Sequence, residues 1–368
     1  MSEWFRVVNV GEVVSPALLL FPERIRENIE RMVRIAGGPD RLRPHIKTHK
    51  LAELVRMQLE AGVTRFKCAT IAEAEMAAGA RAADVLIAYP MVGPNVARLL
   101  ELIRKFPATN FSCVADEAGA VRSLAKACAQ ANTAVEVLLD VDCGQHRTGI
   151  EPGEAALELY RLIAGSPGLK PGGLHVYDGH IHEPDLPQRT AQYEAAFRPV
   201  NGFREILRSA GLAVPRIVAG GTPTFPLHAR NPDFECSPGT CLLWDFGYGD
   251  MFADLDFLLA ALVLARVVSK PATHRLCLDL GHKAVAAENP PPRVKFLNLP
   301  EATAIAHSEE HLVVETARAG EFAVGDCLYG VPRHICPTVA LYSEAVVVRA
   351  GRAGERWRVT ARERRITI

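Results

Sequence analysis

The chain of 368 residues is 49% hydrophobic and 23% charged, which is typical of a globular protein, and its length predicts two domains. Its 42 basic and 42 acidic side chains give zero formal net charge, which indicates neither nucleic-acid binding nor attachment to a membrane surface. No uncharged apolar run approaches the roughly 20 residues that a membrane-spanning helix needs.

Two features of the sequence predict a cytoplasmic protein. Residues 1–6 (MSEWFR) lack the basic stretch followed by an apolar stretch that begins a signal peptide. The nine cysteines are scattered without paired spacing, a pattern typical of reduced thiols in a cytosolic enzyme.

A strand-then-helix rhythm repeats within residues 24–250. The predicted strands span residues 42–46, 65–70, 85–90, 111–116, 135–142, 173–179, 216–221 and 234–243. The predicted helices span residues 50–61, 71–80, 95–105, 117–129, 154–163 and 188–210. Eight such strands predict a parallel sheet closed into a TIM-type (β/α)8 barrel. An open doubly wound sheet is the alternative, but no Gly-x-Gly-x-x-Gly follows the first strand.

Residues 251–368 contain β-rich runs and few helix signals, and so predict a carboxyl-terminal β domain. The predicted strands there span residues 260–268, 275–280, 312–315, 345–349 and 356–360. A proline-marked stretch at residues 290–311 predicts a long loop, and such loops are often functional. Residues 7–20 are also strand-like, so we expect residues 1–23 to join the β domain.

Lys47 lies in a basic octapeptide, Arg-Pro-His-Ile-Lys-Thr-His-Lys, at residues 43–50. Neighbouring cations disfavour the ammonium form of a lysine, which makes its amine available as a nucleophile. A Schiff base with an aldehyde cofactor or a carbonyl substrate needs such an amine. A solvated basic turn is the alternative interpretation.

The predicted strands end in polar and glycine-rich segments, where barrel enzymes carry their active sites. These segments are residues 142–149, 177–182, 220–222 and 237–240. Phosphate commonly binds after the seventh and eighth strands, because glycine lets backbone N–H groups approach an anion and a hydroxyl adds a donor. Residues 220–222 and 239–240 fit this pattern, although each could also be a plain tight turn.

A second candidate site is His334-Ile-Cys336. On a strand, residues two apart share a face, so both side chains could bind one ion. An imidazole with a thiolate favours zinc over magnesium or calcium. Two protein ligands leave positions open for water or substrate, which suits Lewis-acid chemistry at a hydroxyl. A core histidine beside a buried cysteine is the alternative.

These motifs together resemble the D-threonine aldolase and D-serine dehydratase family. The resemblance rests on residues 43–50, 220–222 and 334–336, and extends to residues 68–75, 147–149 and 173–177. The family consists of fold-type III pyridoxal phosphate enzymes that share the alanine racemase-like barrel. The resemblance therefore implies bound pyridoxal 5'-phosphate and a divalent metal, with zinc favoured and manganese or magnesium as alternatives.

The resemblance also implies roles for individual residues. Lys47 would be the Schiff-base lysine, and His45 of the same motif would also contact the cofactor. Arg147 would approach the phenolic oxygen of the cofactor, and Tyr177 would lie near its ring. The phosphate would be held by Gly220, Gly221, Thr222, Gly239 and Thr240. The metal would be bound by His334 and Cys336.

The reaction type is left open between two outcomes on a β-hydroxy substrate. An aldolase of D-3-hydroxy amino acids would break the Cα–Cβ bond and release glycine and an aldehyde. A D-serine or 3-hydroxyaspartate dehydratase would eliminate the hydroxyl and give an α-keto acid and ammonia. His180, His182 or a metal-bound water would act as the base.

The sequence is intermediate between these groups. Dehydratases resemble the His-x-Cys found here, whereas aldolases resemble His-x-Asp, yet residues 337–342 look more like the aldolases. A non-catalytic pyridoxal phosphate carrier is a third possibility, but such single-barrel proteins lack the β domain expected here. The resemblance also implies a head-to-tail homodimer whose sites are completed by the neighbouring subunit.

Overall fold

The computed structural model describes residues 3–368. Its strands are β1 (Ala17–Leu20), β2 (Arg65–Cys68), β3 (Asp84–Pro90), β4 (Asn110–Ala115), β5 (Val135–Val141), β6 (Leu169–Val176), β7 (Ile217–Ala219), β8 (Phe234–Cys236), β9 (Ala261–Ala272), β10 (Arg275–Leu278), β11 (Val294–Phe296), β12 (Thr303–His307), β13 (Leu312–Glu315), β14 (Cys327–Pro332), β15 (Glu344–Arg349) and β16 (Arg352–Arg358). Its α-helices are α1 (Pro22–Ala36), α2 (Ala52–Glu60), α3 (Ile71–Gly79), α4 (Pro94–Lys105), α5 (Ala118–Gln130), α6 (Glu154–Gly165), α7 (Leu186–Ser209), α8 (Phe225–His228), α9 (Phe246–Met251) and α10 (Ile335–Val339).

The chain divides into two compact units, which we call the sheet unit and the barrel unit. The sheet unit consists of residues 3–29, Thr48–Leu51 and Thr240–Arg362. The barrel unit consists of Glu30–Lys47, Ala52–Gly239 and Glu363–Ile368. No helix within residues 3–368 is both long enough and apolar enough to cross a membrane.

The barrel unit is built on a seven-stranded parallel sheet in the order β2-β3-β4-β5-β6-β7-β8. The segment of residues 42–45 joins its two edge strands, because Leu42 pairs with Cys236 and His45 pairs with Lys67. Backbone hydrogen bonds from His45 to Pro238 (2.8 Å) and from Lys67 to Pro44 (2.9 Å) complete the closure. The predicted parallel α/β barrel is therefore confirmed, although its sheet has seven regular strands rather than eight.

The first predicted strand, residues 42–46, is wrong in its extent. Only isolated bridges form at Leu42 and His45, and the chain then turns into a 3-10 helix at Ile46–Thr48. Pro44 has no N–H to donate, which limits the ladder that this segment can form. Lys47 therefore lies in a turn rather than at the end of a regular strand.

Alternating side chains of the parallel strands fill the barrel interior. A fully buried cluster contains Leu86, Val114, Leu138 and Val218, contributed by β3, β4, β5 and β7. Arg43 is also fully buried, and it donates to Glu235 Oε2 at 2.6 Å and to Asp84 Oδ1 at 2.5 Å. A buried charge needs such partners, so this trio ties the closing segment to β8 and β3.

The sheet unit is a nine-stranded sheet in which β9 is the longest strand. β9 pairs antiparallel with β1, β10 and β14. The amino-terminal strand β1 also pairs in parallel with β15, so residues near the start of the chain belong to this sheet. Buried apolar side chains line the sheet, including Leu262 and Leu264 of β9.

Two predictions for the β-rich half are wrong. The stretch of residues 290–311 is not one long loop, because β11 and β12 form within it and pair with β14 and β13. The metal-ligand pair is not on a strand either, because β14 ends at Pro332 and His334 is the residue that precedes α10.

The last residues of the chain return to the barrel unit. Ile368 is buried, and the backbone N–H groups of Thr367 and Ile368 donate to Glu75 Oε2 at 3.2 and 3.3 Å. Arg98 donates to the backbone carbonyl of Ile368 at 2.8 Å. These bonds fix the final segment against α3 and α4.

Candidate active site

Lys47 lies in the 3-10 turn directly after the closing segment of the barrel. Its backbone N–H donates to His45 Nδ1 at 3.4 Å, and His45 is 9% exposed. His45 in turn pairs with Lys67 of β2. The turn therefore presents the Lys47 side chain next to a strand that carries a second lysine.

Three cations surround the ring of Tyr177, which follows β6 directly. The Nζ atoms of Lys47 and Lys67 each lie 5.7 Å from the ring centroid. The guanidinium carbon of Arg147 lies 5.0 Å from it. Such an accumulation of positive charge suits an anionic ligand beside the tyrosine.

Asp142 holds the loop that carries Arg147. Its Oδ1 accepts from the backbone N–H of Gly144 (2.9 Å) and of His146 (3.1 Å), and its Oδ2 lies 2.9 Å from His146 Nδ1. Burial alone would raise the pKa of Asp142, but these hydrogen bonds outweigh it and lower the pKa. The carboxylate thus stays ionised and keeps the loop in one conformation.

The two predicted phosphate loops lie together in the barrel unit. The N–H of Gly239 donates to the hydroxyl of Thr222 at 3.1 Å. A Cβ at Gly221 would lie 3.2 Å from Tyr177 Cε2. Gly220 has a φ of +74°, and a Cβ there would overlap the ring of His228. Only glycine fits at Gly220, and these bare backbones leave room for an anion beside Tyr177.

Thr240, also predicted to bind phosphate, belongs to the sheet unit. Its hydroxyl lies 3.5 Å from Cys336 Sγ. The structure therefore places Thr240 at the predicted metal pair.

The two predicted base candidates follow β6 on the same loop. His180 is partly buried, and its Nδ1 is buried without a hydrogen-bond partner in residues 3–368. A Cβ at Gly144 would lie 3.0 Å from His180 Nε2, so this ring packs against the loop that carries Arg147. His182 is exposed.

His334 and Cys336 are brought together at the start of α10, as the prediction required, although by a helix rather than a strand. Burial alone would lower the pKa of His334, but its hydrogen bond to Cys336 and its pairing with Glu288 outweigh burial and raise it to about 9. Burial alone would raise the pKa of Cys336, and His334 reverses this and lowers it. Each side chain therefore favours the charged form of the other.

Neighbouring groups hold both members of this pair. Glu288 Oε1 lies 2.6 Å from His334 Nδ1, which directs the other ring nitrogen, Nε2, towards a ligand. The Thr48 hydroxyl lies 3.2 Å from Cys336 Sγ. Because Thr48 follows Lys47 directly, the predicted metal pair contacts the residue next to the cofactor lysine of the same chain.

Sequence analysis missed three buried polar groups of the barrel interior. They are Lys67, the pair Asp140–His175 (Oδ1 to Nδ1, 2.7 Å) and the pair Asp178–His228 (Oδ2 to Nε2, 2.8 Å). A usable signal was present, because strands of a parallel barrel are buried on both faces. A lysine in the middle of the predicted strand 65–70 therefore has to be buried and functional or paired.

The residues present fit both groups that the sequence resemblance implies. For pyridoxal phosphate, Gly220 and Gly221 form a cradle that side chains would fill, and Lys47 and Arg147 lie beside Tyr177. For a divalent metal, the imidazole and thiolate of the predicted pair are donors that favour zinc.

Known proteins resemble this chain along almost its whole length. Residues 22–245 match the family model described as alanine racemase, N-terminal domain, and residues 260–348 match the putative serine dehydratase domain. D-threonine aldolase of Arthrobacter sp is 31% identical over 359 residues, which cover 96% of this chain and 94% of that protein.

Two solved structures are similar in the same way. D-threonine aldolase from Filomicrobium marinum has a TM-score of 0.88 and 28% identity, with 95% of each chain covered. A cysteine-to-alanine mutant of D-threo-3-hydroxyaspartate dehydratase, in the metal-free form, has a TM-score of 0.83 and 25% identity, with 94% of this chain and 97% of that chain covered.

Proposed function

Because this chain belongs to the family of the alanine racemase N-terminal domain, we propose that it is a lyase dependent on pyridoxal phosphate and a divalent metal. Its substrates are D-3-hydroxy amino acids, and the reaction is retro-aldol cleavage of the D-threonine type, to glycine and an aldehyde. The observation that carries the proposal is the His334–Cys336 pair, because a racemase or a cofactor carrier has no use for a metal.

The chain's own groups have distinct tasks in this reaction. Lys47 would supply the amine that holds the cofactor, and the backbone of Gly221 and Thr222 would bind its phosphate. The N–H groups of Gly220 and Gly239 already donate to Val176 and to the Thr222 hydroxyl, so these residues shape the cradle instead. Arg147, which lies beside Tyr177, would face the other anionic group of the cofactor, its phenolic oxygen. When bound, the cofactor would withdraw electrons from Cα and the metal would polarise the β-hydroxyl.

His180 is the proposed base that takes the proton of the β-hydroxyl. Its Nδ1 has no hydrogen-bond partner among the described residues, so the ring is not committed to another protein group through this atom. His182 is exposed and is the weaker choice. Removing the hydroxyl proton places charge on the oxygen, and cleavage of the Cα–Cβ bond then releases the aldehyde. The electron pair of that bond stays on Cα, and a proton added there completes glycine.

Dehydration is the second candidate reaction. Cys336 favours it, since the dehydratases of the family resemble this chain in having His-x-Cys at this position. The match of residues 260–348 to the putative serine dehydratase domain points the same way. In this case a proton is removed from Cα and the hydroxyl departs.

Product analysis tests the proposal. Purified protein with pyridoxal phosphate and zinc or manganese should release glycine and acetaldehyde from D-threonine, and a chelator should stop it. Pyruvate and ammonia from D-serine, without glycine from D-threonine, would favour the dehydratase instead. Full turnover in metal-free protein would refute the metal-dependent reaction.

Borohydride reduction followed by peptide mapping tests the cofactor lysine separately. We expect the cofactor to be trapped on Lys47, and we expect Lys47→Ala to lose both the visible absorption band and turnover. A mutant that keeps the full band would show that another lysine holds the cofactor.

We also propose that the protein is a homodimer that works in a reducing compartment such as the cytoplasm. The dimer rests on the family resemblance. The compartment rests on the sequence, in which nine cysteines are scattered without paired spacing.

A further inference from the structure

Lys67 is a buried lysine to which the proposed reaction assigns no role. It lies on β2 and is 1% exposed. Its ammonium makes no hydrogen bond or close ion pair with any of residues 3–368. Burial, together with the nearby charge of Lys47, lowers its pKa to about 7.

The carboxylates closest to Lys67 are already engaged. Asp140 binds His175 at 2.7 Å, and Asp178 binds His228 at 2.8 Å. Both carboxylates attract Lys67, yet neither approaches it within ion-pair distance. Neither carboxylate therefore occupies the three donors of the ammonium, which leaves them for a ligand.

The side chain of Lys67 points to the same aromatic ring as the proposed cofactor lysine, Lys47. Its Nζ lies 5.7 Å from the Tyr177 ring centroid, the same distance as Lys47 Nζ. Its backbone N–H donates to Pro44, and Lys67 pairs with His45, two residues before Lys47. The two amines therefore extend from adjoining segments towards one aromatic ring.

We propose that the Lys67 ammonium binds the phenolic oxygen of pyridoxal phosphate, together with Arg147. This inference rests on the proposed function. The cofactor has two anionic groups, and the phosphate is assigned to the loops after β7 and β8. The phenolic oxygen is on the ring carbon next to the one that bears the aldehyde, so it must lie close to Lys47 wherever that lysine holds the cofactor.

A double comparison of cofactors and variants tests the contact through binding alone. The probes are pyridoxal 5'-phosphate and 3-O-methylpyridoxal 5'-phosphate, whose blocked oxygen carries no charge. The variants are Lys67→Met and, as a matched control, Lys170→Met, which removes an exposed lysine of β6. Dissociation constants are measured by fluorescence quenching at about pH 7.5, with circular dichroism as the check on folding.

Lys67→Met should lower the affinity for pyridoxal phosphate about 10- to 100-fold, as expected for loss of a charge-assisted hydrogen bond. It should change affinity for the methylated analogue less than about twofold, and Lys170→Met should change neither. An equal loss for both probes, or no loss for either, would overturn the contact with Lys67. Failure of the wild type to bind pyridoxal phosphate would instead refute the proposed function.

A second measurement covers the case in which Lys67→Met does not fold. Binding an anion favours the charged amine, so at about pH 8 the wild type should take up about one proton more than Lys67→Gln when it binds the cofactor. Calorimetry in buffers of different ionisation enthalpy measures this difference. If Lys67→Gln also fails to fold, a wild-type affinity that is unchanged between about pH 6.5 and 9 for both probes overturns the proposal.

Discussion

At Gly221 the backbone passes so close to Tyr177 that a larger side chain would have to displace the ring. A Cβ there lies 3.2 Å from the aromatic edge, and the branches of a valine would extend into the space assigned to the phosphate. We expect Gly221→Val to weaken pyridoxal phosphate binding at least tenfold while the barrel stays folded. Titration of the visible band measures the affinity.

Gly153→Val is the matched control for this change. Gly153 has an extended backbone, and a Cβ there meets no atom within 4 Å. Its affinity for the cofactor should equal that of the wild type. If Gly221→Val also binds normally, the phosphate site has to be placed elsewhere.

Arg43 contributes to stability because it neutralises two carboxylates at the closure of the barrel. Replacing it with methionine leaves Glu235 and Asp84 without their buried cation, which costs about 3–5 kcal/mol. Arg349→Met, which breaks an exposed pair with Glu355, should cost about 1 kcal/mol or less. Urea unfolding monitored by circular dichroism compares the two, and similar losses would contradict this role of Arg43.

Lys67 makes the stability of the cofactor-free protein depend on pH. Its pKa is about 7 when folded and has its usual value of 10.5 when unfolded, so between these values the unfolded chain binds more protons. Raising the pH through this window therefore stabilises the folded state.

The measurement is the free energy of unfolding of cofactor-free wild type relative to Lys67→Met. The difference should shift in favour of the wild type by about 1 kcal/mol per pH unit between about pH 7.5 and 9. Comparing the two proteins removes the contributions of cysteines and tyrosines, which they share. A difference independent of pH would show that Lys67 keeps its proton when buried.

Among the elements, α10 and the turn before it matter most for the proposed chemistry. They bring His334 and Cys336 together and present a soft donor set. A chelator should abolish turnover but leave the cofactor's visible band in place, because the metal acts at the hydroxyl. Cys336→Asp should shift metal preference from zinc towards manganese or magnesium, since an oxygen replaces a sulfur.

Metal content after dialysis, measured by mass spectrometry, checks this preference. Cys327→Asp is the matched control, because Cys327 lies on β14 away from α10 in sequence and is not a predicted ligand. The control should retain the wild-type metal ratio. Unchanged zinc content in Cys336→Asp would exclude Cys336 as a ligand.

Sequence patterns predicted the barrel strands well because each parallel strand is a short apolar run followed by a glycine or polar turn. The family matches also confirm the resemblance to D-threonine aldolase and D-serine dehydratase. The pattern failed at α10, where a five-residue helix containing Pro337 carries too little periodicity to be distinguished from a strand. It failed at β11 for a similar reason, since three residues show no alternation.

The sequence likewise predicted some residues of the candidate site and missed others. Lys47, Arg147 and Gly221 were found from their places after strands and from the family motif, and the structure gathers them around Tyr177. Lys67 was not found, because its role depends on a neighbour from another part of the chain. The pairing between His45 and Lys67 is a tertiary contact, and no local sequence pattern predicts it.

At the scale of the whole molecule, the proposed homodimer can be tested together with the origin of each site. The Thr48 hydroxyl and Cys336 Sγ, 3.2 Å apart, come from one chain. We therefore expect mixing of inactive Lys47→Ala and His334→Ala subunits to restore no activity, although the protein is dimeric by sedimentation. Partial recovery would show that lysine and metal ligands of a site come from different subunits.

The return of residues 363–368 to the barrel unit has a practical consequence for handling the protein. Thr367 and Ile368 are hydrogen-bonded to Glu75 of the barrel unit. An affinity tag fused after Ile368 would therefore strain these bonds in the unit that contains Lys47. The outer helices α3 and α4 therefore gain all their contacts only when residues 363–368 are present.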